Sequence, residues 1–82
     1  MRLAISVMTK AEYNYKSNVR RLRREHGYSG YKVAQLLGMV PSNYYRMENF
    51  SKSTMTYVTF QVLDNLSSIY SIPISKLFAE CD

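Results

Sequence analysis

Residues 29–49, reading SGYKVAQLLGMVPSNYYRMEN, constrain the chain more than any other stretch. Ser29 offers a side-chain oxygen to the first free amides of a helix. Val33, Leu36 and Leu37 follow at the three- and four-residue steps that place side chains on one helical face. Gly38 can take the left-handed conformation that stops such a helix. Pro41 then opens a second helix, because a proline at the first helical position forfeits no hydrogen bond and its fixed φ already suits the helix. Residues 38–40 are left as the connection, about the length that a helix-turn-helix unit uses.

The flanking sequence is read around that pair. A chain of 82 residues supports one small domain with a modest core, so its stability is expected to be modest or shared with a second subunit. Residues 1–11 alternate apolar and polar side chains in LAISVM and are expected to form a short strand or arm, flexible or pairing with another copy. The domain proper is expected over residues 12–80. From about residue 13 a first helix carries Tyr15, Val19, Leu22 and His26 on one stripe, and Gly27 ends it. Arg20, Arg21 and Arg24 fall away from the stripe, Arg23 at its border, and His26 reads as a packing or capping residue.

The second helix, over residues 30–37, carries Ala34, small enough to let another helix approach. The third, over residues 41–49, is expected to bury Tyr44 and Met47 and to expose Ser42, Asn43, Tyr45 and Arg46. Residues 50–58 lack caps and read as a loop. Thr59 opens a fourth helix with Phe60, Leu63, Leu66 and Tyr70 inward and Ile69 close by, leaving Gln61, Asn65 and Ser68 outward. Ile72, Pro73, Ile74, Leu77 and Phe78 outline a last short helix. The expected architecture is all-α, compact and five-helical.

Charge narrows the choice of partner. The chain carries a net charge of +5, and residues 1–49 hold nine Lys and Arg against three Glu, whereas residues 50–82 are slightly acidic. Basic charge gathered on the half that holds the helix pair points to a polyanion. Enzymatic chemistry finds no footing: one His, one Cys and six carboxylates form no nucleophile-base pair, metal-ligand spacing or phosphate-cradling glycine loop. No cofactor, metal or small-molecule ligand is expected. The lone Cys81, without a second ligand, reads as a tail thiol and fits a reducing compartment. No apolar run reaches the roughly 18 residues that cross a membrane, and the first residues lack the apolar length and cleavage site of a secretory signal, so a cytoplasmic location is expected. Eight tyrosines raise the idea of a stacking platform for single strands, but they scatter rather than line one face.

The order of five helices, together with VRRLRREHG in the first, YSxxxVAQLLGM in the second, YRMEN closing the third and IPISKLF in the tail, resembles the lambda repressor and Cro-like helix-turn-helix domains, the Xre family. The likeness runs over residues 18–78. It implies a lambda-repressor-like fold and a prokaryotic or phage transcription regulator. Such a regulator reads the major groove of double-stranded DNA with the third helix, as a homodimer on a palindromic operator. Carried across, it implies a structural ion pair between Arg23 and Glu48. It implies base reading from Pro41, Ser42, Asn43 and Arg46, where Arg can grip guanine and Asn adenine through two hydrogen bonds each. It also implies a phosphate contact at Ser29. Tyr31, Tyr45 and Lys52 join the phosphate contacts on the strength of their expected exposure.

Three departures from the family pattern shape that reading. Gly30 stands where glutamine is common, removing a side chain that braces the third helix. Pro41 replaces a polar reader and leaves only an apolar contact. Phe50 replaces a glycine and precedes a longer loop, and with Met55 and Tyr57 it could form an interaction patch, although packing beneath the loop explains it as well. These same positions favour the alternative, a protein-binding module on the same scaffold such as an antirepressor, antitoxin or phage-encoded inhibitor. The gathering of positive charge on the helix-pair half favours DNA.

Overall fold

The computed structural model of the chain describes residues 8–50 and 57–80, and within them every regular element is helical. Four α-helices, α1 (Lys10–Glu25), α2 (Gly30–Leu37), α3 (Pro41–Glu48) and α4 (Phe60–Tyr70), are followed by a 3-10 helix at Ile74–Phe78. The fifth expected helix is therefore not an α-helix. Pro73 precedes it in extended backbone with no side-chain cap, and the Lys76 amide closes back on the Pro73 carbonyl at 3.0 Å, the tighter three-residue step usual in short pieces.

The chain enters α1 earlier than the stripe alone implied. Thr9 caps the helix by accepting from the Glu12 amide at 3.1 Å, in a TKAE sequence that matches a capping box, so Lys10 and Ala11 are helical rather than part of an arm. The rest of the expected strand or arm, residues 1–7, lies outside the described residues, as do Lys52, Met55 and Cys81.

Tyr15, Val19 and Leu22 bring α1 into a shared core with Val33 and Ala34 of α2 and Tyr44 and Met47 of α3. Val62, Leu63, Leu66 and Tyr70 of α4 and Leu77 of the 3-10 helix complete it. Three expected core positions differ. Phe60 is 88% exposed and Val62 takes its place, because six residues before Leu66 is about a third of a turn off the buried face. Leu36 is likewise exposed: the face set by Gly30, Val33, Ala34 and Leu37 leaves it to one side. Ile74 stays exposed while Leu77 is buried. No helix among the described residues is long and apolar enough to cross a membrane.

α1 also holds the C-terminal segment through polar contacts. The Asn18 amide donates to the carbonyls of Leu77 at 3.0 Å and Ala79 at 2.8 Å, and Asn14 donates to Phe78 at 3.3 Å. A short 3-10 helix leaves its last carbonyls without internal partners, so the two amides supply what the local backbone cannot. Asn18 is buried, and its replacement strands two acceptors. Asn18→Ala is expected to lower the unfolding free energy by about 2 to 3 kcal/mol in urea titrations. An unchanged midpoint would show that the tail is held by packing alone.

Candidate nucleic-acid interface

The pair α2 and α3 is assembled from local backbone chemistry. Ser29 caps α2 by accepting from the Lys32 amide at 3.0 Å, which leaves its own hydroxyl proton free. Gly38 ends the helix at φ 70°, and the amides of Gly38 and Met39 return to the carbonyls of Gln35 and Ala34 at 3.1 and 2.8 Å. No side chain caps α3, where Val40 is extended and Pro41 occupies the first turn. Eight residues of helix with no N-terminal side-chain cap need support from elsewhere.

That support comes from α1 and converges on the inner face of α3. Glu48 is buried, and Arg23 grips it with a two-pronged bond, Nε to Oε2 at 2.7 Å and Nη2 to Oε1 at 3.0 Å. The remaining Arg23 nitrogen donates to the Tyr28 carbonyl at 3.1 Å, and the Tyr44 hydroxyl donates to Glu48 Oε2. The last carbonyls of α3 are met in the same way. Lys16 Nζ donates to those of Arg46 and Met47, each at 3.0 Å, and Arg20 Nη2 donates to that of Glu48 at 3.1 Å. Cations at a helix C-terminus satisfy orphan acceptors and oppose the negative end of the dipole.

Lys16 is a residue that the sequence reading passed over. It is fully buried, with Glu12 at 3.9 Å. Burial lowers its pKa and Glu12 partly restores it. The signal was available: Glu12, Tyr15, Lys16 and Val19 recur at steps of three, one and three, so the lysine lies on the inward stripe rather than beside it.

The outer face of α3 is left for other uses. Ser42, Tyr45 and Arg46 are exposed, and Pro41 and Asn43 are half-buried beside them. Arg46 Nη1 donates to the Tyr57 hydroxyl at 3.2 Å, so the guanidinium is oriented by a residue beyond the helix. The Tyr45 ring lies over Gly30 and meets Tyr44 edge-on at 5.9 Å. On α2, Tyr31 and Lys32 are exposed near the Ser29 cap. Lys32 was not among the expected phosphate contacts, although an exposed lysine in the first turn of that helix is a plain signal. Lys52, which was among them, lies outside the described residues.

Two features of the sequence look different in three dimensions. Part of the basic charge is taken up within the chain: Lys16 is buried and Arg23 pairs with the buried Glu48, while Arg21 with Glu25 and Lys10 with Glu80 form exposed surface pairs. On α2 and α3, Lys32 and Arg46 carry no ion pair among the described residues and offer their charge outward. Phe50 is half-buried against α1, its ring 5.2 Å from that of Tyr13 and 4.9 Å from the Arg20 guanidinium. It packs on the outer side of α1.

No protein-family model, curated protein or solved structure matches the chain.

The contacts around Glu48 generate two predictions. Arg23→Met strands a buried carboxylate and is expected to cost about 3 to 5 kcal/mol of stability, measured by chemical denaturation. A loss below about 1 kcal/mol would mean that Arg20 or water can replace it. The second concerns alkali. Burial raises the phenols of Tyr15 and Tyr44 well above the ordinary 10.0, Glu48 adding to both, and pushes Tyr70 up to about 12. These phenols keep their protons to higher pH in the native state than after unfolding, so above pH 10 the unfolded state holds fewer protons than the native state. The stability they confer is complete below pH 10 and falls as pH rises beyond it, by up to about 1.4 kcal/mol per pH unit for each phenol. Lys16, with its lowered pKa, adds stability as pH rises only up to the ordinary 10.5 and does not offset the fall beyond it. Denaturation midpoints that stay level from pH 9 to about 11.5 would contradict this coupling.

Proposed function

We propose that the chain is a sequence-specific DNA-binding regulator of transcription of the Xre helix-turn-helix type, prokaryotic or phage in origin. It reads the major groove with α3 as a homodimer on a palindromic operator. One observation carries the reading: Arg46, Ser42 and Asn43 stand together on the outer face of α3, while every buried group on that helix is engaged with the core and with α1. Arginine and asparagine are the side chains best suited to reading base edges, and serine serves either base or phosphate. The adjoining turn of α2, with the Ser29 hydroxyl, Tyr31 and Lys32, supplies donors for the phosphate backbone beside that groove. Tyr45 and Lys52 extend the same backbone contact.

A protein-binding module on this scaffold, an antirepressor, antitoxin or phage inhibitor, is the second reading. It is favoured by the exposure of Tyr31, Leu36 and Val40 along the same segment. Selection of bound duplexes from random DNA, followed by salt titration, separates the two. A regulator is expected to enrich a two-fold symmetric site with half-sites about one helical turn apart and to lose affinity steeply as salt rises. Arg46→Ala is expected to relax preference at one base pair, by about 1 to 3 kcal/mol of discrimination, whereas Lys32→Ala weakens all sequences alike. If no sequence enriches above the random pool, the protein-binding reading replaces this one.

A further inference from the structure

Backbone angles do not call for glycine at position 30, since the glycines with positive φ are Gly27 and Gly38. Space does. A β-carbon at Gly30 would fall 2.3 Å from Cε1 of Tyr45, 2.5 Å from Cζ and 2.7 Å from the hydroxyl oxygen. The ring of a residue on α3 thus lies directly against the first residue of α2, an approach that only glycine permits. Tyr44 meets the same ring edge-on at 5.9 Å, which confines it from α3 as well. Tyr45 is nevertheless 47% exposed, and its hydroxyl donates to no group among the described residues.

We propose that Gly30 is a positioning residue that clamps the Tyr45 phenol across the start of α2, where its hydroxyl donates to a backbone phosphate of bound DNA. The proposal rests on the DNA-binding reading above and adds to the phosphate contact given there for Tyr45 the device that holds it in place. The hydroxyl has left the outer ridge of α3 and sits beside the first residue of α2. When the second helix of such a pair occupies the major groove, the first crosses the sugar-phosphate backbone. A donor held over the start of α2 therefore faces phosphate, while Arg46 and Asn43 on α3 face base edges. The ring also braces the two helices against each other.

The test has two arms, and the first needs no DNA. Gly30 α-protons beneath a tyrosine ring are expected to resonate at ring-current-shifted positions, and Tyr45→Ala is expected to return them to ordinary values. If they do not move, the clamp is overturned. The second arm measures affinity for the wild-type-selected duplex with Gly30→Ala, Tyr45→Phe and the double variant. Each single change is expected to weaken binding by roughly five- to tenfold. The double variant should lose no more than either, because both changes remove the same hydroxyl contact. Base preference should be unchanged throughout. Losses that multiply, or a shift in base preference with Tyr45→Phe, would overturn the phosphate assignment. Gly30→Ala is expected to fold, because what must yield is the far end of a side chain with two torsions. Should it melt early, Tyr45→Phe alone decides the contact. If wild-type protein enriches no sequence, the regulator reading fails and the phosphate role with it, while the resonance of Gly30 still decides the clamp.

Discussion

A buried carboxylate must be neutralised where it lies, and Glu48 at the end of α3 is the point on which the arrangement of the helices depends. Its two oxygens are taken by the fork of Arg23 from α1 and by the Tyr44 hydroxyl one turn earlier on its own helix. A planar guanidinium matched to a carboxylate fixes distance and angle together, which a flexible ammonium cannot do. The third arm of Arg23 reaches the Tyr28 carbonyl in the connection before α2, so a single side chain ties α1, that connection and α3.

The same logic extends along α1, which acts as the frame for elements too short to stand alone. Lys16 and Arg20 close the carbonyl end of α3, and Asn14 and Asn18 close that of the 3-10 helix. Short helices are marginal in water and gain their stability from tertiary contacts. Because α3 is anchored through its inner face and its C-terminal carbonyls, its outer residues are left with few structural contacts, Tyr45 against Gly30 and Arg46 on the Tyr57 hydroxyl. That division of labour makes the face available for recognition, and it underlies the proposal that Ser42, Asn43 and Arg46 read DNA.

Legibility followed the range of the interaction. Caps at Ser29 and Thr59 and the left-handed stop at Gly38 could be read directly, since each is set by hydrogen bonds within a few residues. The start of α1 at Lys10 was also encoded locally, in the TKAE box, but its weight was hidden behind the more conspicuous apolar stripe. Phe60 and Leu36 misled because an apolar residue near a helical face is not yet on it, and exposed apolar side chains are common. Arg23 and Glu48, 25 residues apart on separate helices, share no local pattern and are readable only through resemblance to a family. Gly30 appeared from the sequence to be a missing side chain. In three dimensions it is a seat for Tyr45.

By itself, the sequence determined that this chain is helical, where most helices begin and end, and that a tight turn at residues 38–40 joins α2 to α3, because capping and periodicity act over one or two turns. Tertiary structure decided which charges remain outward. Of the cations that made the first half of the chain look uniformly basic, Lys16 and Arg23 are drawn inside to hold α3, and Lys32 and Arg46 are left facing out. Formal charge is additive along a chain, but its availability depends on burial and pairing, which exist only once the helices have packed.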